Sequence, residues 1–253
     1  MTGSAAEGGR EPHPKDGTRR DGDGLPRHLV VMDVDSTLIS QEVIELIAEH
    51  AGTRAEVAAV TERAMRGELD FAGSLRERVA TLAGVPLAAL DEVRRRATYT
   101  PGAEELVAEL HRRDWPVALV SGGFVEIVEH LAAPLSITRY RANGLETSDG
   151  ALTGRTVGPV IDRQAKAAAL REFAAAEGIS MEHTIAIGDG ANDLDMIGAA
   201  GIGIAFAAKP VVREQAPYSV DGPRLDAVLG VIDEVLSQGL PQGASKSTAV
   251  DVA

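Results

Sequence analysis

Four short apolar runs, each closed by a polar or glycine-rich turn, constrain this chain more than any other feature. They are Leu29–Met32, Val117–Val120, Thr184–Ile187 and Gly201–Ala205. Continuous runs of this length suit strands buried on both faces, as in a parallel sheet covered by helices. Amphipathic helical patterns fall between and after them, at about Pro101–Arg113, Phe124–Ala133, Arg163–Glu177, Leu194–Ala199 and Leu225–Leu236, with Pro101 at a first helical position. The expected fold class is therefore α/β, a doubly wound, Rossmann-like parallel sheet.

Residues 41–98 break that rhythm. They offer no strand, only helical stretches at Gln41–Ala51, Thr53–Arg66, Phe71–Leu82 and Leu87–Ala97, separated by Gly52, Gly67 and Gly84. A helical block straight after the first strand predicts an inserted cap subdomain, with residues 28–40 and 99–237 forming the α/β core. The Asp149-Gly150 pair within Glu146–Thr153 predicts a β-hairpin. Residues 1–27 and 238–253 contain too few large apolar side chains to offset ordering entropy, and are expected to be disordered tails.

Composition removes several classes of function. The absence of cysteine excludes disulfides, thiolate metal sites and a cysteine nucleophile. A formal net charge of −13 repels phosphate backbones, so nucleic acid is not an expected partner. The runs Arg94-Arg95-Arg96 and Arg112-Arg113 sit in helical stretches and read as solvated faces. No apolar run approaches the roughly eighteen residues that a membrane span needs. The N-terminal stretch has no apolar core of a secretory signal, so a cytoplasmic location is expected. An anionic substrate would need a local positive site within this acidic chain.

Four motifs could build such a site, each near the carboxyl end of a predicted strand, where open α/β sheets bind ligands. Asp33-Val34-Asp35-Ser36-Thr37 follows the first run; in extended chain, residues two apart face one side, so both carboxylates can converge. Two close carboxylates repel, and a divalent cation would relieve that while leaving one free to attack. Ser121-Gly122-Gly123 closes the second run and could form a phosphate corner. Lys166 lies near the start of the Arg163–Glu177 helix. Gly188-Asp189-Gly190-Ala191-Asn192-Asp193 follows the third run and supplies hard oxygen ligands of the kind Mg²⁺ takes. Taken singly, each has an ordinary alternative: a loop or cap aspartate, a serine-capped turn, a surface lysine, a tight turn held by Asp193.

The order strand–DxDST, strand–SGG, Lys, strand–GDGxND resembles the haloacid dehalogenase superfamily of phosphotransferases. The strings DVDSTLISQE, AMRGELDFAGSLRERV, VSGGF, AIGDGANDLDM and AFAAKP are similar to the bacterial and archaeal phosphoserine phosphatase family, over about Leu29 to Leu236. The resemblance implies a nucleophile at Asp33 and a general acid/base at Asp35. It implies Mg²⁺ bound by Asp33, the Asp35 backbone carbonyl and Asp189, and a phosphoryl group held by Ser121 and Lys166, with Gly122 and Asn192 lining the site. Glu42 and Arg76 would grip the ammonium and carboxylate of phosphoserine, and Met65 and Phe71 would close the apolar side. A zwitterion does need one fixed anion and one fixed cation; taken on sequence alone, Arg76 and Glu42 read first as exposed helix charges.

The implied partner is a small molecule, without nucleic acid or membrane, and the implied role is the last step of serine biosynthesis by a monomer or homodimer. Another small phosphomonoester such as phosphohomoserine, a phosphotransferase, and a non-catalytic sensor on the same fold are the alternatives. Two features depart from the family pattern. The N-terminus is too short and polar for an amino-acid-binding regulatory domain, and Ala133–Arg141 is more polar than the usual strand there.

Overall fold

The apolar runs lie side by side. The computed structural model describes residues 26–65 and 68–239, with the side chain of Met65 left out. Its seven strands are β1 (Leu29–Met32), β2 (Val117–Phe124), β3 (Arg139–Ser148), β4 (Ala151–Val157), β5 (Thr184–Gly188), β6 (Ile202–Phe206) and β7 (Tyr218–Val220). They form one sheet in the order β4-β3-β2-β1-β5-β6-β7, parallel throughout except for the antiparallel pair β3–β4. From β1 the chain first builds outward to β4, then returns to place β5 on β1's other side. That reversal opens a crevice at the carboxyl end of β1, between β2 and β5.

Alternate residues of the inner strands feed two apolar layers, because successive side chains point to opposite faces. Leu29, Val31, Ala118, Val120 and Ala186 pack with residues of α7 (Arg163–Glu177) and α8 (Leu194–Ala199). Val30, Met32, Leu119, Ile185, Ile187 and Ile204 pack on the other face with residues of α5 (Ala103–Arg112), α6 (Val125–Ala132) and α10 (Val228–Gln238). With aromatics at only 3%, branched aliphatics fill both layers. Each fully buried one contributes roughly 1.5–3 kcal/mol relative to exposure.

Among the described residues, the interval after β1 holds four helices, α1 (Val43–Ala51), α2 (Arg54–Met65), α3 (Phe71–Ala80) and α4 (Leu87–Arg96). Ile44, Leu75, Val79 and Leu90 from these helices join the same apolar cluster as Phe124 and Leu145 of the sheet. The hairpin tip also holds the insertion. Gly84 N–H donates to Leu152 O (2.8 Å), Leu152 N–H to Val85 O (2.8 Å) and Leu87 N–H to Gly150 O (2.9 Å).

Several expected boundaries shift for identifiable reasons. The helix expected from Pro101 begins at Ala103, because Gly102 is left-handed (φ 83°) and cannot be helical. Phe124, expected in a helix, ends β2 because it pairs with Asn143. Within Ala133–Arg141 only Arg139–Arg141 is strand, since the chain turns through Ser136 at φ 56°. The hairpin is longer than expected: its first arm is the outer half of a ten-residue strand. Short β7 and α9 (Pro210–Arg213) carry too few residues for a legible period. The expected tails fall mostly outside the described residues, but Arg27 hydrogen-bonds Asp114 O (2.8 Å) and Gln238 ends α10. No helix among the described residues is long and apolar enough to cross a membrane.

Candidate active site

Asp33 is the first residue past β1 and continues its ladder, with its N–H on Ile187 O (2.9 Å). Its Oδ1 accepts the Val34 N–H (2.7 Å) and meets Lys166 Nζ at 2.7 Å. The chain then makes one wide turn, closed by Ile39 N–H on Val34 O (3.0 Å), in which Ser36 adopts φ 56°. A left-handed serine costs about 1–2 kcal/mol, and such strain gathers at functional sites. The turn brings Asp35 back over the sheet: a Cβ on Gly123 would lie 2.9 Å from Asp35 Oδ2. Asp35 Oδ1 is buried with no hydrogen-bond partner among the described residues. It is an acceptor or proton donor that awaits a ligand.

Ser121, fully buried, sits within β2 and accepts the Gly123 N–H through its hydroxyl oxygen (2.8 Å). Lys166 reaches the same place from the first turn of α7, whose start Asp162 caps by accepting the Ala165 N–H (2.9 Å). Lysine is rarely buried unless paired. Here the side chain is fully buried and lies 2.7 Å from both Asp33 and Asp193. After β5, Asp189 Oδ1 accepts the Thr37 hydroxyl (3.1 Å), while Asp193 Oδ2 accepts the Gly190 N–H (2.9 Å). Asp193 thus holds both the loop and Lys166, and Thr37 orients Asp189. The sequence reading offered Asp193 as a residue that holds the loop; its grip on Lys166 and the Thr37–Asp189 contact were not assigned from sequence.

The electrostatics show a shortage of positive charge. Burial, then the Asp193 charge, pushes Asp33 well above the ordinary carboxylate range, more than Lys166 draws it down. Burial and Glu42 push Asp35 up to about 8, and burial and Asp193 push Asp189 to about 6. Burial would lower Lys166, yet Asp193 and Asp33 together raise it. Carboxylate oxygens of Asp33, Asp189 and Asp193 lie within 4.8 Å of one another, while the Asp35 carboxylate stands outside this group. Two buried carboxylates and a half-buried one, facing one ammonium, make a donor set suited to a hard divalent cation.

The insertion closes the open side. Phe71 begins α3, and a Cβ on Gly122 would lie 3.1 Å from its ring and 3.8 Å from Asn192 Nδ2. Glu42, exposed just before α1, accepts the Ser36 hydroxyl (2.7 Å) and bears electrostatically on Asp35 and Asp189. Arg76 does not face this site: it is exposed on the solvent side of α3. The α3 cation that feels Glu42 and Asp35 is Arg78, whose guanidinium is lowered by burial and drawn back up by those two carboxylates. The signal was present in the spacing, since Phe71, Ser74, Leu75 and Arg78 recur at helical intervals on one face. Arg76 is five residues from Phe71 and turns away. The Met65 side chain lies outside the described residues.

Known proteins resemble this chain in sequence and in fold. The sequence model of the haloacid dehalogenase-like hydrolases matches residues 30–197. A phosphoserine phosphatase of Streptococcus thermophilus is 54% identical over 207 residues, covering 82% of this chain and 96% of that protein. A phosphoserine phosphatase of Mycobacterium tuberculosis is 54% identical over 203 residues, and this chain spans about half of it (50%). Among solved structures, a phospho-aspartyl intermediate analogue of a phosphoserine phosphatase superposes with TM-score 0.77 at 41% identity, covering 81% of this chain and 98% of that one. A substrate-bound phosphoserine phosphatase complex gives the same TM-score, 0.77.

Proposed function

The chain belongs to the haloacid dehalogenase-like hydrolases, and from that premise we propose that its reaction is hydrolysis of O-phospho-L-serine to L-serine and phosphate. The observation that carries the reading is the pairing of two unlike carboxyls at one strand end. Asp33 is held by Lys166, while Asp35, half-buried with its Oδ1 unpaired among the described residues, is pushed up to about 8.

The two aspartates divide the work. An Asp33 oxygen attacks phosphorus, the P–O bond to serine breaks, and Asp35 gives its proton to the departing oxygen. Asp35, now a carboxylate, takes a proton from water, which attacks the acyl phosphate and frees both phosphate and Asp33. Lys166 and the Ser121 hydroxyl hold the equatorial oxygens, the main demand that phosphoryl transfer makes on a protein. Mg²⁺, held by Asp33, the Asp35 carbonyl and Asp189, would supply neutralising charge for the phosphoryl oxygens. Gly122 and Asn192 line the phosphoryl pocket.

At the serine end, Glu42 takes the ammonium, Arg78 rather than Arg76 takes the carboxylate, and Phe71 forms the apolar wall. Residues 41–98 act as a cap over the core of residues 28–40 and 99–237. The same reading puts the chain in the cytoplasm at the last step of serine biosynthesis, as a monomer or homodimer acting on a small molecule.

The direct test is phosphate release from a panel of phosphomonoesters that includes phosphohomoserine. Phosphoserine should give the highest kcat/KM, and a better substrate lacking the amino-acid end would sink the assignment. Release should stop in excess chelator and return with Mg²⁺; turnover that persists in chelator would remove the cation from the reading. Replacing Arg78 with Ala should raise KM for phosphoserine about 10- to 100-fold, the worth of a charge-assisted pair. Arg76→Ala should shift it less than about twofold, as an exposed charge does. The opposite ranking would return the carboxylate clamp to Arg76.

A further inference from the structure

Between Val120 and Phe124, β2 runs four residues while β3 advances only two, from Arg141 to Asn143. The phosphate corner Ser121-Gly122-Gly123 therefore loses its regular ladder partners, and its backbone polar groups must be met in another way. Asn143 meets them. Its side chain, 1% exposed, donates to the carbonyl oxygens of Gly122 (2.8 Å) and Gly123 (3.3 Å). Its own carbonyl oxygen accepts the Ile161 N–H (2.9 Å).

Each of these bonds leads to a group that handles the phosphoryl. The Gly122 carbonyl and the Gly123 N–H belong to one rigid peptide plane, so fixing the first fixes the second. Two adjacent glycines have little intrinsic resistance to rotation of that plane. The Gly123 N–H donates to the Ser121 hydroxyl oxygen (2.8 Å), which leaves the hydroxyl proton available to a ligand. On the other side, Ile161 immediately precedes Asp162. The Asp162 side chain caps α7, and its carbonyl accepts the Lys166 N–H (2.9 Å). One buried amide thus joins the corner carrying Ser121 to the helical turn carrying Lys166.

We propose that Asn143 is a positioning residue for phosphoryl transfer, holding Ser121 and Lys166 in register across the gap between β2 and α7. The proposal rests on the phosphatase reading above. Asn143 touches neither substrate nor reacting atoms; it acts through the peptide plane and the helix start. Small misplacement of such groups is costly to rate, about a hundredfold for a displacement near 1 Å.

Two variants separate this role from simple support of the fold. N143D preserves size and the acceptor toward Ile161, but turns a carboxylate oxygen on two carbonyls. N143A removes all three bonds. Steady-state kinetics with phosphoserine and Mg²⁺, alongside melting temperatures, should show kcat down by about a hundredfold in both. KM should move less than about threefold, because the Glu42 and Arg78 end is untouched. Folded N143D with the kcat of the parent overturns the proposal, whatever its melting temperature. Two variants that are both unfolded at the assay temperature also overturn it, since Asn143 would then serve only the fold. If the parent chain itself fails on phosphoserine, the substrate reading falls, and the kcat comparison is made with whichever phosphomonoester the parent turns over.

Discussion

Asp33→Asn is expected to lower phosphate release by about 10⁵-fold or more, the scale at which loss of a nucleophile is felt, in a protein that still folds. The amide is the same size as the carboxylate, and its oxygen can still accept the Val34 N–H and face Lys166. What it loses is the charge that attacks phosphorus. The fold should gain rather than lose. Burial and Asp193 make the Asp33 charge costly, and Lys166 keeps Asp193 as a partner 2.7 Å away. Without metal, the melting temperature of the variant should equal or exceed that of the parent, the usual relation between stability and a strained site. Phosphate release and thermal unfolding in chelator check both halves. Retained turnover would remove Asp33 as nucleophile, and a large drop in melting temperature would contradict the charge shortage.

Lys166→Met should act with the opposite sign on stability. The ammonium is fully buried between two carboxylates, and removing it leaves Asp33, Asp189 and Asp193 facing one another. Breaking a buried pair from one side costs about 3 kcal/mol or more. Denaturant unfolding in chelator should show that loss, and Mg²⁺ should recover part of it by replacing the missing charge. Activity should stay down by roughly a thousandfold even with Mg²⁺, because a cation aimed at the phosphoryl oxygens is gone. A variant as stable as the parent in chelator would mean that the cluster tolerates its own repulsion.

The same cluster shows how far sequence reasoning reaches. Asp33, Ser121 and Asp189 were legible because each follows an apolar run, and the crevice of a parallel sheet gathers such positions. Lys166 was legible only from the order of motifs; by itself it reads as a solvated lysine. The pairings Asp193–Lys166 and Thr37–Asp189 were not assigned, because the partners are 27 and 152 residues apart in the chain. The resemblance was carried to Arg76 without weighing Arg78, although helical spacing favours Arg78, which shares a face with Phe71.

Asn143 was invisible for a related reason. An asparagine in a polar stretch carries no periodic signal, and its use depends on β3 lying beside a gap in β2's ladder. Element boundaries near Gly102, Phe124 and Ser136 also escaped, since a positive φ or a pairing partner, not hydropathy, decides them.

By itself, then, the sequence determined the α/β alternation, the helical insertion and the aspartate that begins the site, because burial pattern and strand-end chemistry are local properties. Only the tertiary structure decided which carboxylate holds the lysine and which amide steadies the phosphate corner. Those choices rest on contacts between residues far apart in the chain, and such contacts exist only once the sheet has brought them within hydrogen-bonding distance.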